Sequence, residues 1–146
     1  MESMYESKNM NSIKSNFVSY QIALDMKKLG FDELCFGFYT DSEQYRKFVS
    51  DSGNNSDLKN IFGNKTDKAT ITPTYFQAFR FFSDNYNLEG LPQRADDYLW
   101  YKYHIYKLYK DYKIMIAVEL EFKTYEEAQT ECLKELIKIV NENKEN

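Results

Sequence analysis

The chain has 146 residues, 42% hydrophobic and 29% charged, with a formal net charge of −4. That length suits one domain burying roughly two thirds of its unfolded surface. The acidic balance argues against a protein living on nucleic-acid phosphates, and no apolar run reaches the roughly 20 residues of a membrane span.

Aromatic residues make up 17%, with 13 Tyr and 11 Phe but one Trp, while Gly (5) and Pro (2) are scarce. This composition favours long elements and few tight turns. Residues 1–15 read as a polar, flexible arm. The first helix starts at Ser19, carries Ile22, Ala23, Met26 and Leu29 on one stripe and closes at Gly30. Phe31 then returns to Met26 as the hydrophobic contact of a Schellman motif. Leu34–Thr40 reads as a short aromatic strand. From Asp41 to Lys68 the chain turns polar, an insertion of a length that is either functional or mobile. Two apolar clusters interrupt it, Tyr45/Phe48/Val49 and Leu58/Ile61/Phe62. Ala69–Thr72 returns as a strand beside Leu34–Thr40.

A second helix opens at Thr74 with the capping box Thr74-x-x-Gln77, and its stripe is Tyr75, Ala78, Phe79, Phe82 and Tyr86. The polar connection NLEGLPQRADD leads to the strand Tyr98–Leu108. The last strand begins at Tyr112, with Ile114, Ile116, Val118, Leu120 and Phe122 alternating at the period of a half-buried strand. Thr124-x-x-Glu127 then caps a third helix with the stripe Tyr125, Ala128, Cys132, Leu136, Ile139 and Val140. Residues 143–146 read as a frayed end.

With Lys110-Asp111 as the turn, the final hairpin pairs Leu99 with Phe122, Tyr101 with Leu120, Tyr103 with Val118 and Ile105 with Ile116 on an apolar face. The opposite, mixed face pairs Trp100 with Glu121, Lys102 with Glu119, His104 with Ala117 and Tyr106 with Met115. An antiparallel sheet covered by helices on one side only has this pattern. The expected fold is α+β: a sheet of about four antiparallel strands with three helices on one face, in the order α-ββα-ββα. One domain would span 16–142, with the insertion at 41–68.

His104 is the only histidine, which excludes a histidine-based metal cage, and no cysteine spacing resembles a zinc site. Cys35 and Cys132 lie in apolar stretches, where a thiol stays protonated and inert. They read as buried, reduced thiols of a cytoplasmic protein. Glu119 and Glu121 have the types and spacing of an acid–base pair or a Mg²⁺ site, but a cross-strand ion pair between Lys102 and Glu119 accounts for the first of them. No motif carries a catalytic mechanism, so the chain reads as non-enzymatic and without a cofactor.

The mixed sheet face is the candidate site: Trp100, Lys102, His104, Tyr106, Met115, Glu119 and Glu121. Tyr45, Phe48 and Phe62 of the insertion form a second candidate contact. Aromatics interleaved with lysines resemble a stacking platform for single-stranded nucleic acid or a nucleotide. The acidic chain favours a protein partner or self-association instead.

The helix starts Ser19-Tyr20-x-x-Ala23, Thr74-Tyr75-x-x-Ala78 and Thr124-Tyr125-x-x-Ala128 repeat one pattern, explained by a hydroxyl cap, an amphipathic Tyr and a small residue facing the sheet. Together SYQIALDMKKLGFDELCFGFYT, TPTYFQAFRFFSDNYNL and TYEEAQTECLKELIKIV resemble a group of small uncharacterised proteins of phages and mobile elements of gut Bacteroidetes. The resemblance covers about half the chain and rests on cap and core positions. Members of that group usually have a short hairpin where this chain carries Asp41–Lys68. The resemblance implies an accessory protein in a bacterial host cell, of the host-takeover or counter-defence kind, and no activity, cofactor or site residue.

Overall fold

In the computed structural model, residues 16–48, 53–56 and 69–145 are described. The chain divides into two compact units, Met1–Tyr75 and Phe76–Asn146. The arm at 1–15 and Val49, Leu58, Ile61 and Phe62 of the insertion lie outside the described residues.

The first unit begins with α1, Tyr20–Lys28. Ser19 caps it by accepting a hydrogen bond from the Ile22 amide at 3.4 Å. At the far end Gly30 adopts φ 92°, its N–H donates to Lys27, and the Phe31 N–H donates to Met26. Those are the two bonds of a Schellman motif, which needs a residue at ease in the left-handed region. Ile22, Ala23 and Met26 are the buried stripe. Three strands come next, β1 (Gly37–Thr40), β2 (Tyr45–Lys47) and β3 (Ala69–Thr72), in the antiparallel order β2-β1-β3. The expected pairing of Ala69–Thr72 with the first strand holds. The insertion reads in sequence as a loop, yet it supplies the edge strand β2.

A second part of the insertion is tied down by Asn55. Its backbone N–H donates to Asp32 Oδ1 at 2.8 Å, its Nδ2 donates to the Phe31 carbonyl at 3.0 Å, and its Oδ1 accepts from the Ile71 amide at 3.4 Å. One side chain thus clips the segment to both the end of α1 and strand β3.

Helix α2, Tyr75–Tyr86, leads into the second unit. There β4 (Leu88–Arg94), β5 (Tyr101–Leu108) and β6 (Lys113–Phe122) form an antiparallel sheet in the order β4-β5-β6, and α3, Tyr125–Glu145, completes the chain. Both helices lie over one face. A Cβ built on Gly90 of β4 would meet Cys132 Sγ at 2.9 Å, Phe79 Cε1 at 2.9 Å and Leu136 Cδ1 at 3.0 Å. Gly90 is therefore the point where side chains of both helices come down onto the sheet. Leu88, Tyr103 and Ile105 are buried on that face beneath Cys132, Leu133 and Leu136.

The α+β class, antiparallel pairing and three helices among the described residues agree with the expectation. The single sheet of about four strands is corrected, among the described residues, to two sheets of three. The order becomes α-βββ-α-βββ-α, because β2 and β4 come from stretches that read as loop. In β4, Gly90 and Pro92 look like turn residues. Pro92 is tolerated because β4 is an edge strand, where a missing N–H breaks no second ladder.

Candidate functional site

The face of β4-β5-β6 turned away from α2 and α3 is built row by row from the strand pairings. Glu89 lies opposite Tyr106 and Tyr106 opposite Met115; Leu91 lies opposite His104 and His104 opposite Val118. Residues directly opposite one another in an antiparallel ladder point to the same side, so these side chains share one face. Lys113 reaches across it to Glu89 Oε2 at 2.8 Å and stands 4.4 Å from the centre of the Tyr106 ring. The hydrogen bond to Glu89 raises the Lys113 pKa. His104 meets Tyr106 edge-on at 6.0 Å, and its Nδ1 lies 3.4 Å from Gln93 Nε2.

Trp100 stands at the head of this face, in the bend before β5, with 37% of its surface exposed. Its loop is held closed. The Ala95 N–H donates to the Trp100 carbonyl at 2.8 Å, the Leu99 N–H to Asp97 Oδ1 at 3.1 Å, and Arg94 Nη1 to the Tyr98 carbonyl at 2.9 Å. Tyr98 sits at φ 61°, a strained region for a side-chain-bearing residue. Tyr98 and Leu99 project from this braced loop, both strongly exposed.

Of the sequence-derived site residues, Trp100, Lys102, His104, Tyr106 and Met115 come together on or beside the uncovered face. Two hairpin expectations need correction. Tyr106 does oppose Met115, but the register shifts between Tyr106 and Ile105 and again between Tyr103 and Tyr101. Beyond the first shift Ile105 faces Ala117, His104 faces Val118 and Tyr103 faces Glu119; beyond the second, Tyr101 faces Phe122. Each extra residue exchanges the faces of all the residues beyond it. Glu119 therefore lies on the helix side beside Tyr103, and Lys102 makes its ion pair with Asp96 at 3.4 Å instead. Glu121 sits at the second irregularity with φ 72°.

The exposure of β6 on both faces overturns its reading as a half-buried strand. Ile114, Met115, Ile116, Val118 and Leu120 are all 46% to 58% exposed. Alternation alone assigns Ile114, Ile116, Val118 and Leu120 to the core and so hides an apolar surface. The signal for that surface is the unbroken run Ile114–Val118, in which Met115 and Ala117 are apolar too. A strand apolar on both sides is not half-buried in the ordinary way.

The insertion residues lie elsewhere. Phe48 is buried in the first unit, its ring centroid 5.0 Å from that of Phe38. Tyr45 is half-buried between Phe17 at 5.3 Å and Tyr39 at 6.1 Å. Phe62 lies outside the described residues. Burial raises the phenol pKa of Tyr45, with a smaller contribution from Cys35.

Among the described residues no group of three His, Cys, Asp or Glu side chains is placed to hold a metal ion, and no helix is long and apolar enough to cross a membrane. Cys132 is fully buried, and that burial pushes its thiol pKa far up. An exposed apolar and aromatic surface on a rigid sheet can supply contact area and stacking, with Lys113 and Glu89 as polar fixings. No family model, curated protein or solved structure matches the chain.

Proposed function

We propose that this protein is a small, non-enzymatic interaction module of the cytoplasm that binds a protein partner through the uncovered face of β4-β5-β6. In the setting implied by the resemblance it is an accessory protein of a phage or mobile element. The observation that carries the reading is β6, where Met115 and Val118, which share the uncovered face with Tyr106 and His104, remain about half exposed. Contiguous apolar surface of this kind is costly in water and marks contact sites. Trp, Tyr and Met are the residues that anchor such contacts, and a braced loop loses little entropy on binding. The net charge of −4 gives the chain little attraction for phosphates.

The test is affinity capture from host lysate with wild type, Trp100→Ala and Met115→Asp, each checked for folding by circular dichroism. Both variants should lose the captured partner by roughly tenfold or more, as hot-spot truncations do. Capture unchanged by either variant would overturn the reading. So would binding of a labelled single-stranded oligonucleotide that weakens with salt and vanishes in Trp100→Ala, the behaviour of a nucleic-acid platform.

A further inference from the structure

Where α2 gives way to β4 and the end of α3 passes the end of β5, the second unit holds an open cavity of about 300 Å³. That volume is at the small end of the range for ligand sites. Leu88 and Val140, both buried, give it an apolar lining, and Lys107, Lys144, Asn87 and Asn143 a polar one; no carboxylate lines it. Leu88 lies opposite Lys107 in the β4–β5 ladder, so Lys107 points to the helix side and the cavity is separate from the uncovered face. The backbone around it is fixed. Asn87, at φ 53°, turns the chain out of α2; its N–H donates to the Ser83 carbonyl at 3.2 Å and its own carbonyl accepts from Leu108 at 2.8 Å. Asn85 Nδ2 ties the same turn to the Phe81 carbonyl at 2.9 Å.

Lys28, Lys102, Lys113, Lys134 and Lys138 each meet an Asp or Glu. Among the described residues neither Lys107 nor Lys144 does. Lys107 Nζ donates to the Tyr86 carbonyl at 3.2 Å, a neutral acceptor that leaves its charge uncancelled and donors to spare. The cavity also faces the carboxyl ends of α2 and α3, each carrying roughly −0.5 of an elementary charge. Set against two full positive charges, the helix ends leave a surplus of about +1, which suits a monoanion better than a phosphate dianion. We propose that this cavity binds a small organic carboxylate, its charged group between Lys107 and Lys144 and its apolar body against Leu88 and Val140. The amides of Asn87 and Asn143 supply neutral donors beside that group. The inference goes beyond the contact reading of the uncovered face and stands whether or not that reading does.

The test titrates the full chain with benzoate, with its neutral counterpart benzyl alcohol and with inorganic phosphate, following backbone amide signals by NMR at fixed salt and pH. Benzoate should shift the amides of Asn87, Leu88, Asn143 and Lys144 saturably, and the other two compounds should bind roughly tenfold more weakly or not at all. Lys107→Gln/Lys144→Gln should weaken benzoate roughly tenfold or more, with circular dichroism establishing that the variant folds. If removing Lys107 from the end of α2 prevents folding, Lys144→Gln alone takes its place, a change at an exposed position that should still weaken benzoate severalfold. Absence of a saturable shift at these amides overturns the proposal. So does benzyl alcohol or phosphate binding as tightly as benzoate, or benzoate binding indifferent to the lysine variant.

Discussion

Tyr103 holds a phenol against α3 with 4% of its surface exposed. Burial, and then the nearby charge of Glu119, raise its pKa well above the usual 10.0. Tyr39, whose hydroxyl donates to the Val18 carbonyl at 2.8 Å, is raised by burial as well. Cys132 is raised from the usual 9.0 by burial and by Glu135, against an opposing backbone hydrogen bond from Leu91. The sign is set by proton binding. Above the ordinary values the unfolded chain has released these protons while the folded chain keeps them, so stability falls as pH rises. The urea midpoint should therefore drop steadily from about pH 9 to pH 11, and Tyr103→Phe should flatten part of that drop. An equal drop in Tyr103→Phe would show that this phenol is not held neutral by the fold. Alternation places Tyr103 on the buried face but opposite Val118; that Glu119 stands beside it depends on a register no single residue encodes.

At the scale of elements, the helix ends are the most legible features because their chemistry is local. The capping box at α3 forms as spaced. Glu127 N–H donates to Thr124 Oγ1 at 3.1 Å, and Glu127 Oε2 accepts from the amides of Lys123 at 2.9 Å and Thr124 at 3.3 Å. Thr124→Ala should cost about 1 kcal/mol of stability, read as a lower thermal midpoint with an unchanged folded spectrum. No shift in midpoint would mean that packing of Ala128, Cys132 and Leu136 alone sets where α3 begins. Strands are less legible. β2 is three residues long and β4 carries Gly90 and Pro92, so neither shows the alternation that identifies a strand. Their existence depends on neighbours elsewhere in the chain: Gly37–Tyr39 for β2 and Tyr101–Lys107 for β4.

At the scale of the molecule, among the described residues each unit has one strand paired on both sides, β1 in the first and β5 in the second. Amides locked into two ladders open only with their sheet, whereas outward amides of an edge strand meet water directly. Hydrogen exchange in dilute solution should thus be slowest in β1 and β5 and faster along β2 and the outer side of β6. Fast exchange in β5 would contradict the sheet order itself.

Composition, caps and stripes were enough to fix three helices, the pairing of Ala69–Thr72 with the first strand, and a final hairpin turning at Lys110-Asp111. Each of these depends on groups a few residues apart or on a periodicity carried by one segment. Two separate sheets and the exposure of β6 were decided only in three dimensions. A single extra residue in a ladder reverses which side chains meet the helices, and the energy that selects it comes from packing against distant partners such as Tyr103, Ile105 and α3.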